Sequence, residues 1–144
     1  MQFIAFKQWF ALKRYVNQLQ IKIIGDIPIY LSLDSVEVWK DRELFKIGRS
    51  MEITQVSGVP PDKLSSDGQI WNNPLYNWKY HKKTGYSWWI ERILFALNKF
   101  DVIRLDHFRG FAKYYAVSEP FNDAHQGRWE KGPGYNMFKK VNSL

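Results

Sequence analysis

The chain has 144 residues, 45% hydrophobic and 24% charged, which suits a globular core and is too apolar for a disordered segment. It has no cysteine, which excludes disulfides, thiolate catalysis and thiolate metal ligands and agrees with a reducing, cytoplasmic setting. The net charge of +7 is spread over scattered residues such as Lys7, Lys13, Arg14, Lys40, Arg42 and Lys99, and its densest pairs, Lys82-Lys83 and Lys139-Lys140, fall in loop-like or terminal stretches, so it reads as solvated surface, not as a nucleic-acid patch.

The first residues, Met1 to Lys7, lack the charged-then-apolar pattern of a leader, and no apolar run approaches the ~18 residues of a membrane span. Phe3, Phe6, Trp9, Phe10, Leu12, Lys13 and Val16 recur at three-and-four spacing and predict an amphipathic helix over 2–19. Ile21-Lys22-Ile23-Ile24 then predicts a buried strand that ends in a loop at Gly25-Asp26. Asp34 and Glu37 have capping-box spacing, which predicts a short helix through Trp39 with Asp34 as its cap.

Residues 46–80 carry turn signals at Gly48, Gly58, Pro60-Pro61, Gly68 and Pro74 and no sustained period, so they are expected to form one long loop. A second helix is marked by Tyr86, Trp89, Ile90, Ile93, Leu97 and Phe100, and a second strand by Val102 to Asp106. A short segment near Tyr114 to Val117 and a final helix from Tyr135 follow. Strands alternating with helices predict an α/β protein with a parallel sheet, and two strands do not close one.

Arg104 and Asp106 stand two apart on the second strand, so their side chains share a face and can meet. A neighbouring guanidinium favours the charged carboxylate, as a nucleophile requires, although a structural ion pair has the same spacing. The aromatic content, seven Trp, eight Tyr and ten Phe, serves packing and stacking on flat ligands alike. Trp9, Trp88 and Trp89 sit at helical spacing and read as packing residues. His81 and His125 lack partners at ligand spacing, so no metal site is expected, and no cofactor motif is present.

A wider set of motifs runs in one order along the chain: Gly25-Asp26-Ile27-Pro28-Ile29-Tyr30, Gly58-Val59-Pro60-Pro61-Asp62, Gly68-Gln69 with Trp71, Asn73-Pro74-Leu75-Tyr76, Gly85-Tyr86 with Trp88-Trp89, Arg104-Leu105-Asp106-His107-Phe108-Arg109-Gly110-Phe111, and Lys131-Gly132-Pro133-Gly134. Together they resemble the amylomaltases, or disproportionating enzymes, which are 4-α-glucanotransferases. The resemblance implies an internal piece of a (β/α)8 barrel, a single incomplete barrel fragment over 1–144, acting on α-1,4-glucans and maltooligosaccharides. It implies Asp106 as the catalytic nucleophile, Arg104 as its neighbouring cation, and Asp26, Gln69, Trp71 and His107 as substrate contacts. The family's acid/base Glu matches none of Glu119, Asp123 or Glu130, so the 144 residues alone are expected to be inactive, and a non-catalytic carbohydrate-binding role is the alternative. Lys63 and Leu64 stand where the family often has aromatics, and Asn72 where it usually has Gly. An incomplete barrel is also expected to self-associate through exposed strand edges.

Overall fold

The computed structural model describes residues 1–48, 50, 52–63 and 65–142, and Leu64 lies outside them. The chain divides into two compact units, one of residues 1–28 and 88–106, the other of 29–87 and 107–144.

The first unit holds helix α1 (Gln2–Gln18), strand β1 (Ile24–Ile27), most of a helix spanning Ser87–Lys99, and a strand over Val102–Leu105. The two strands pair in parallel, with Asp26 opposite Arg104 and Ile27 opposite Leu105. Trp89, Ile93 and Ala96 are buried along one face of the 87–99 helix, the stripe its periodicity predicts. Helix α1 buries no residue fully. It is held by rings, with Phe6 edge-on to Phe95 at 6.0 Å and Trp9 edge-on to Phe100 at 5.5 Å, and by the Trp9 indole, which donates to the Lys99 carbonyl at 3.0 Å.

Strand β1 starts three residues later than its β-branched run suggests, contains Asp26 instead of ending before it, and leaves Ile24 exposed. The reason lies in the preceding hydrogen bonds. The Ile21 amide donates to the Val16 carbonyl, closing the end of α1, and the Ile23 amide donates to the Asp101 carboxylate at 2.8 Å. Asp101 also accepts from Asn17 and pairs with Lys13, so these residues serve a helix end and sheet pairing begins only at Ile24.

In the second unit, helix α2 (Val36–Lys40) is capped by Ser35, whose hydroxyl accepts from the Val38 amide, and not by Asp34. Asp34 instead accepts from the Ser32 hydroxyl. The stretch 46–80 is not one loop: it contains strands β2 (Gln55–Val59) and β3 (Gln69–Pro74) and the start of helix α3 (Trp78–Lys83). The 87–99 helix is α4 and the 102–105 strand β4, followed by α5 (Arg109–Ala112), β5 (Lys113–Ser118), β6 (Arg128–Lys131) and α6 (Tyr135–Val141). Among the described residues β3, β2, β5 and β6 form an antiparallel sheet in that order. The periodicity hides β3 because its pairing with β2 is irregular: Val56 faces Pro74 and Gly58 faces Ile70, so three residues of β3 oppose Ser57 alone. Asn72, the middle one, takes a left-handed φ of 57°, which asparagine tolerates better than most side chains.

The core of this unit gathers Tyr76, Leu75, Phe111, Val117 and Met137, all nearly inaccessible. A polar knot joins β2, β5 and β6. Glu130 accepts from Lys46 and from the Tyr114 hydroxyl, each at 2.6 Å, and from Arg128 at 3.1 Å and Gln55 at 3.3 Å. Desolvation pushes this carboxyl up, but the hydrogen bonds from Lys46 and Tyr114 and the charge of Lys46 outweigh it and hold Glu130 down at about 2. Its partners make it a structural carboxylate.

Candidate active site

The charged row of the first unit follows from the register. Asp26 and Arg104 are directly opposite on parallel strands, and Arg104 reaches both sides, donating from Nη1 to Asp26 Oδ2 at 2.6 Å and from Nη2 to Asp106 Oδ1 at 2.5 Å. Asp106 is the first residue beyond β4, and its amide donates to the Ile27 carbonyl at 2.9 Å, extending the ladder past the strand end. Two-residue spacing on a strand predicts the Arg104–Asp106 contact. The Asp26 contact, 78 positions away in sequence, has no local signal.

The row contributes little to stability. The Arg104 side chain is 61% exposed, and exposed ion pairs of this kind are worth about 0–1 kcal/mol each. Two carboxylates thus share one exposed guanidinium at the carboxyl ends of parallel strands. In α/β proteins those strand ends are where ligands bind.

The second unit holds the other expected residues. Gln69 and Trp71 lie two apart on β3, and the Trp71 indole donates to Gln69 Oε1 at 2.9 Å. His107 meets the Trp71 ring edge-on at 4.9 Å and 88°. His107 has a left-handed φ of 45°, a conformation that costs a non-glycine residue roughly 1–3 kcal/mol and is characteristic of functional sites. Gly110 serves close packing here. A Cβ at that position would stand 2.6 Å from Ile29 Cδ1 and 3.2 Å from His107 Cδ2.

Tyr30 belongs with these residues although the spacing argument passed over it. Its ring lies 6.0 Å from Trp71, 6.4 Å from His107 and 6.2 Å from Tyr76. Burial pushes its hydroxyl well above the usual tyrosine range, and that buried oxygen finds no hydrogen-bond partner among the described residues. The signal was present in the sequence as the last residue of the Gly25 to Tyr30 motif. Neighbouring backbone is fixed by Tyr76, whose hydroxyl donates to the Ile29 carbonyl at 2.6 Å, and by Asn73, which donates to the Leu31 carbonyl at 3.1 Å. Among the described residues no group of three or more His, Asp or Glu could hold a metal ion, and no helix is long and apolar enough to cross a membrane.

These features place the chain among α/β proteins with charged residues at the carboxyl ends of paired parallel strands. It belongs to the 4-alpha-glucanotransferase family, whose model matches residues 1–143. The 4-alpha-glucanotransferase of Aquifex aeolicus is 49% identical over 140 residues, covering 97% of this chain and 29% of the relative. That of Clostridium butyricum is 44% identical, covering 98% and 29%. Among solved structures, the amylomaltase of Streptococcus agalactiae in complex with acarbose superposes with a TM-score of 0.92 at 46% identity, over 96% of this chain and 28% of that one. The chain thus spans under a third of the length of the relatives it matches.

Proposed function

We propose that these residues form the nucleophile side of a 4-α-glucanotransferase site within a larger (β/α)8 barrel, acting on α-1,4-glucans and maltooligosaccharides. The observation that carries the reading is the Asp26–Arg104–Asp106 row, three exposed charges that contribute little to stability, in a chain of this family. A carboxylate oxygen of Asp106 attacks the anomeric carbon, and the glycosidic C–O bond breaks as its oxygen takes a proton from a second carboxyl group. An acceptor hydroxyl then gives its proton to that carboxylate, attacks the same carbon and releases Asp106. Arg104 orients the nucleophile through its hydrogen bond to Oδ1. Asp26, Gln69 and His107 bind sugar hydroxyls, and the Trp71 ring covers an apolar sugar face. The mechanism needs no metal or cofactor, and the absence of cysteine supports a cytoplasmic setting.

The second carboxylate has no counterpart in this reading of the 144 residues, since Glu130 is committed to Lys46 and Tyr114. With maltotriose as substrate and chromatography of the products, a complete protein carrying these residues is expected to make longer and shorter oligosaccharides, and the 144-residue chain alone none. No products from the complete protein would sink the reading, and products from the short chain would sink its division of labour.

Exposed apolar residues in the first unit, among them Phe3, Ile4, Ile24 and Val102, support self-association of the isolated chain. Light scattering is expected to find a mass above one chain that grows with concentration. A monodisperse monomer is the contrary result.

A further inference from the structure

Trp71 and His107 meet edge-on over backbone in sparsely populated conformations. Trp71 stands beside the left-handed Asn72 in the irregular part of β3, and His107 is left-handed itself. Such backbone persists only where its surroundings hold it. The Trp71 indole donates to Gln69, which is exposed and so a loose anchor. Something else must set these two rings.

Tyr30 reaches both, its ring tilted at 55° to Trp71 and at 37° to His107. It is only 8% exposed and stacks on Tyr76 at 19°. Tyr76 stacks in turn on Phe45 at 5.2 Å, and its hydroxyl is bonded to the carbonyl of Ile29, the residue before Tyr30. The stack therefore closes on itself, with the Tyr30 ring tied through Tyr76 to its own backbone. All these residues belong to the second unit. The hydroxyl of Tyr30 does not account for the residue, because its buried oxygen has no hydrogen-bond partner among the described residues and an unpaired buried hydroxyl opposes folding. What Tyr30 supplies is the ring.

We infer that Tyr30 is a positioning residue whose ring fixes the angle between Trp71 and His107, and with it the surface they present to a sugar. This rests on the proposed reading, in which Trp71 covers a sugar face and His107 binds a sugar hydroxyl. Set at 88° to each other, a flat indole and a polar imidazole match the two surfaces of a pyranose, an apolar C–H face and a rim of hydroxyls. Without the Tyr30 wall each ring gains rotamers, which the sugar must order as it binds, and that weakens binding. The contacts exist before the reaction as well as during it, so KM rises more than kcat falls.

Disproportionation of maltotriose by a complete protein carrying these residues is the test. Y30L is expected to raise KM about tenfold and to lower kcat by less than about threefold. Y30F, which keeps the ring, is expected to restore KM to within about twofold of the original and to unfold at no lower urea concentration. In W71A, where one of the two rings is already gone, Y30L is expected to add about threefold or less, because its effect runs through that ring. A loss of stability alone has a different signature, since fewer folded molecules lower the measured kcat and leave KM where it was. Should Y30L fail to fold, Y30M, which refills much of the space with a flexible chain, is held to the same KM shift. A complete protein without transfer overturns the proposed function and this inference with it. Transfer with KM unchanged in the folded variant, an undiminished effect in W71A, or failure of both Y30L and Y30M to fold overturns the inference alone.

Discussion

Replacing Asp106 by Asn in a catalytically complete protein carrying these residues is expected to reduce glucan transfer by about 10³- to 10⁴-fold while leaving the fold intact. The amide is nearly isosteric, and its oxygen can still accept from Arg104 Nη2, so the change removes the nucleophile's charge with little change in packing. The loss is expected in kcat, because the covalent step disappears, and not principally in KM. Brief incubation of the unmodified protein with maltotriose, acid quenching and peptide mass spectrometry should find a hexose-containing adduct on the peptide that holds Asp106, absent in the variant. An adduct on another carboxylate, or a variant with more than a tenth of the original rate, would remove Asp106 from the role.

Acid is expected to weaken the second unit in two successive stages. The first belongs to His81, fully buried with Nε2 3.1 Å from the Leu44 carbonyl. Desolvation lowers its pKa to about 4, against a smaller opposing effect of that hydrogen bond. The unfolded chain takes up this proton near 6.5 and the folded chain only near 4, so stability falls as pH drops between those values. The second stage belongs to Glu130, whose contribution is complete above about 4.5 and lost as pH falls towards about 2. At about 1.4 kcal/mol per pH unit, each group accounts for up to about 3 kcal/mol. Urea denaturation followed by tryptophan fluorescence at stepped pH measures both. H81Q should flatten the upper stage and E130Q the lower one, and an unchanged profile in either variant would refute that assignment.

The sequence disclosed most where chemistry depends on near neighbours. The Arg104-x-Asp106 spacing, the buried stripe of α4 and the closing helix could all be read because strand and helix periods act over a few residues. Asp26 meeting Arg104 could not, since parallel pairing joins positions separated by a helix and a long connection. Likewise β2 and β3 hid behind Gly58, Gly68 and Pro74, residues that usually mark turns but here sit in and beside an irregular pair of strands. The start of β1 was misplaced for an opposite reason, as Ile21 and Ile23 favour a strand but are drawn off by α1 and by Asp101. Tyr30 needed three dimensions, because its relation to Trp71 and His107 arises only when separate stretches of the chain fold together.

The irregular β3 has a consequence for folding as well as for shape. Asn72 occupies a left-handed position where glycine would adopt the same backbone more freely, but glycine would also leave the denatured chain with more conformations to lose. Asparagine carries some left-handed strain in the native state and narrows the unfolded ensemble by up to about 1 kcal/mol in return.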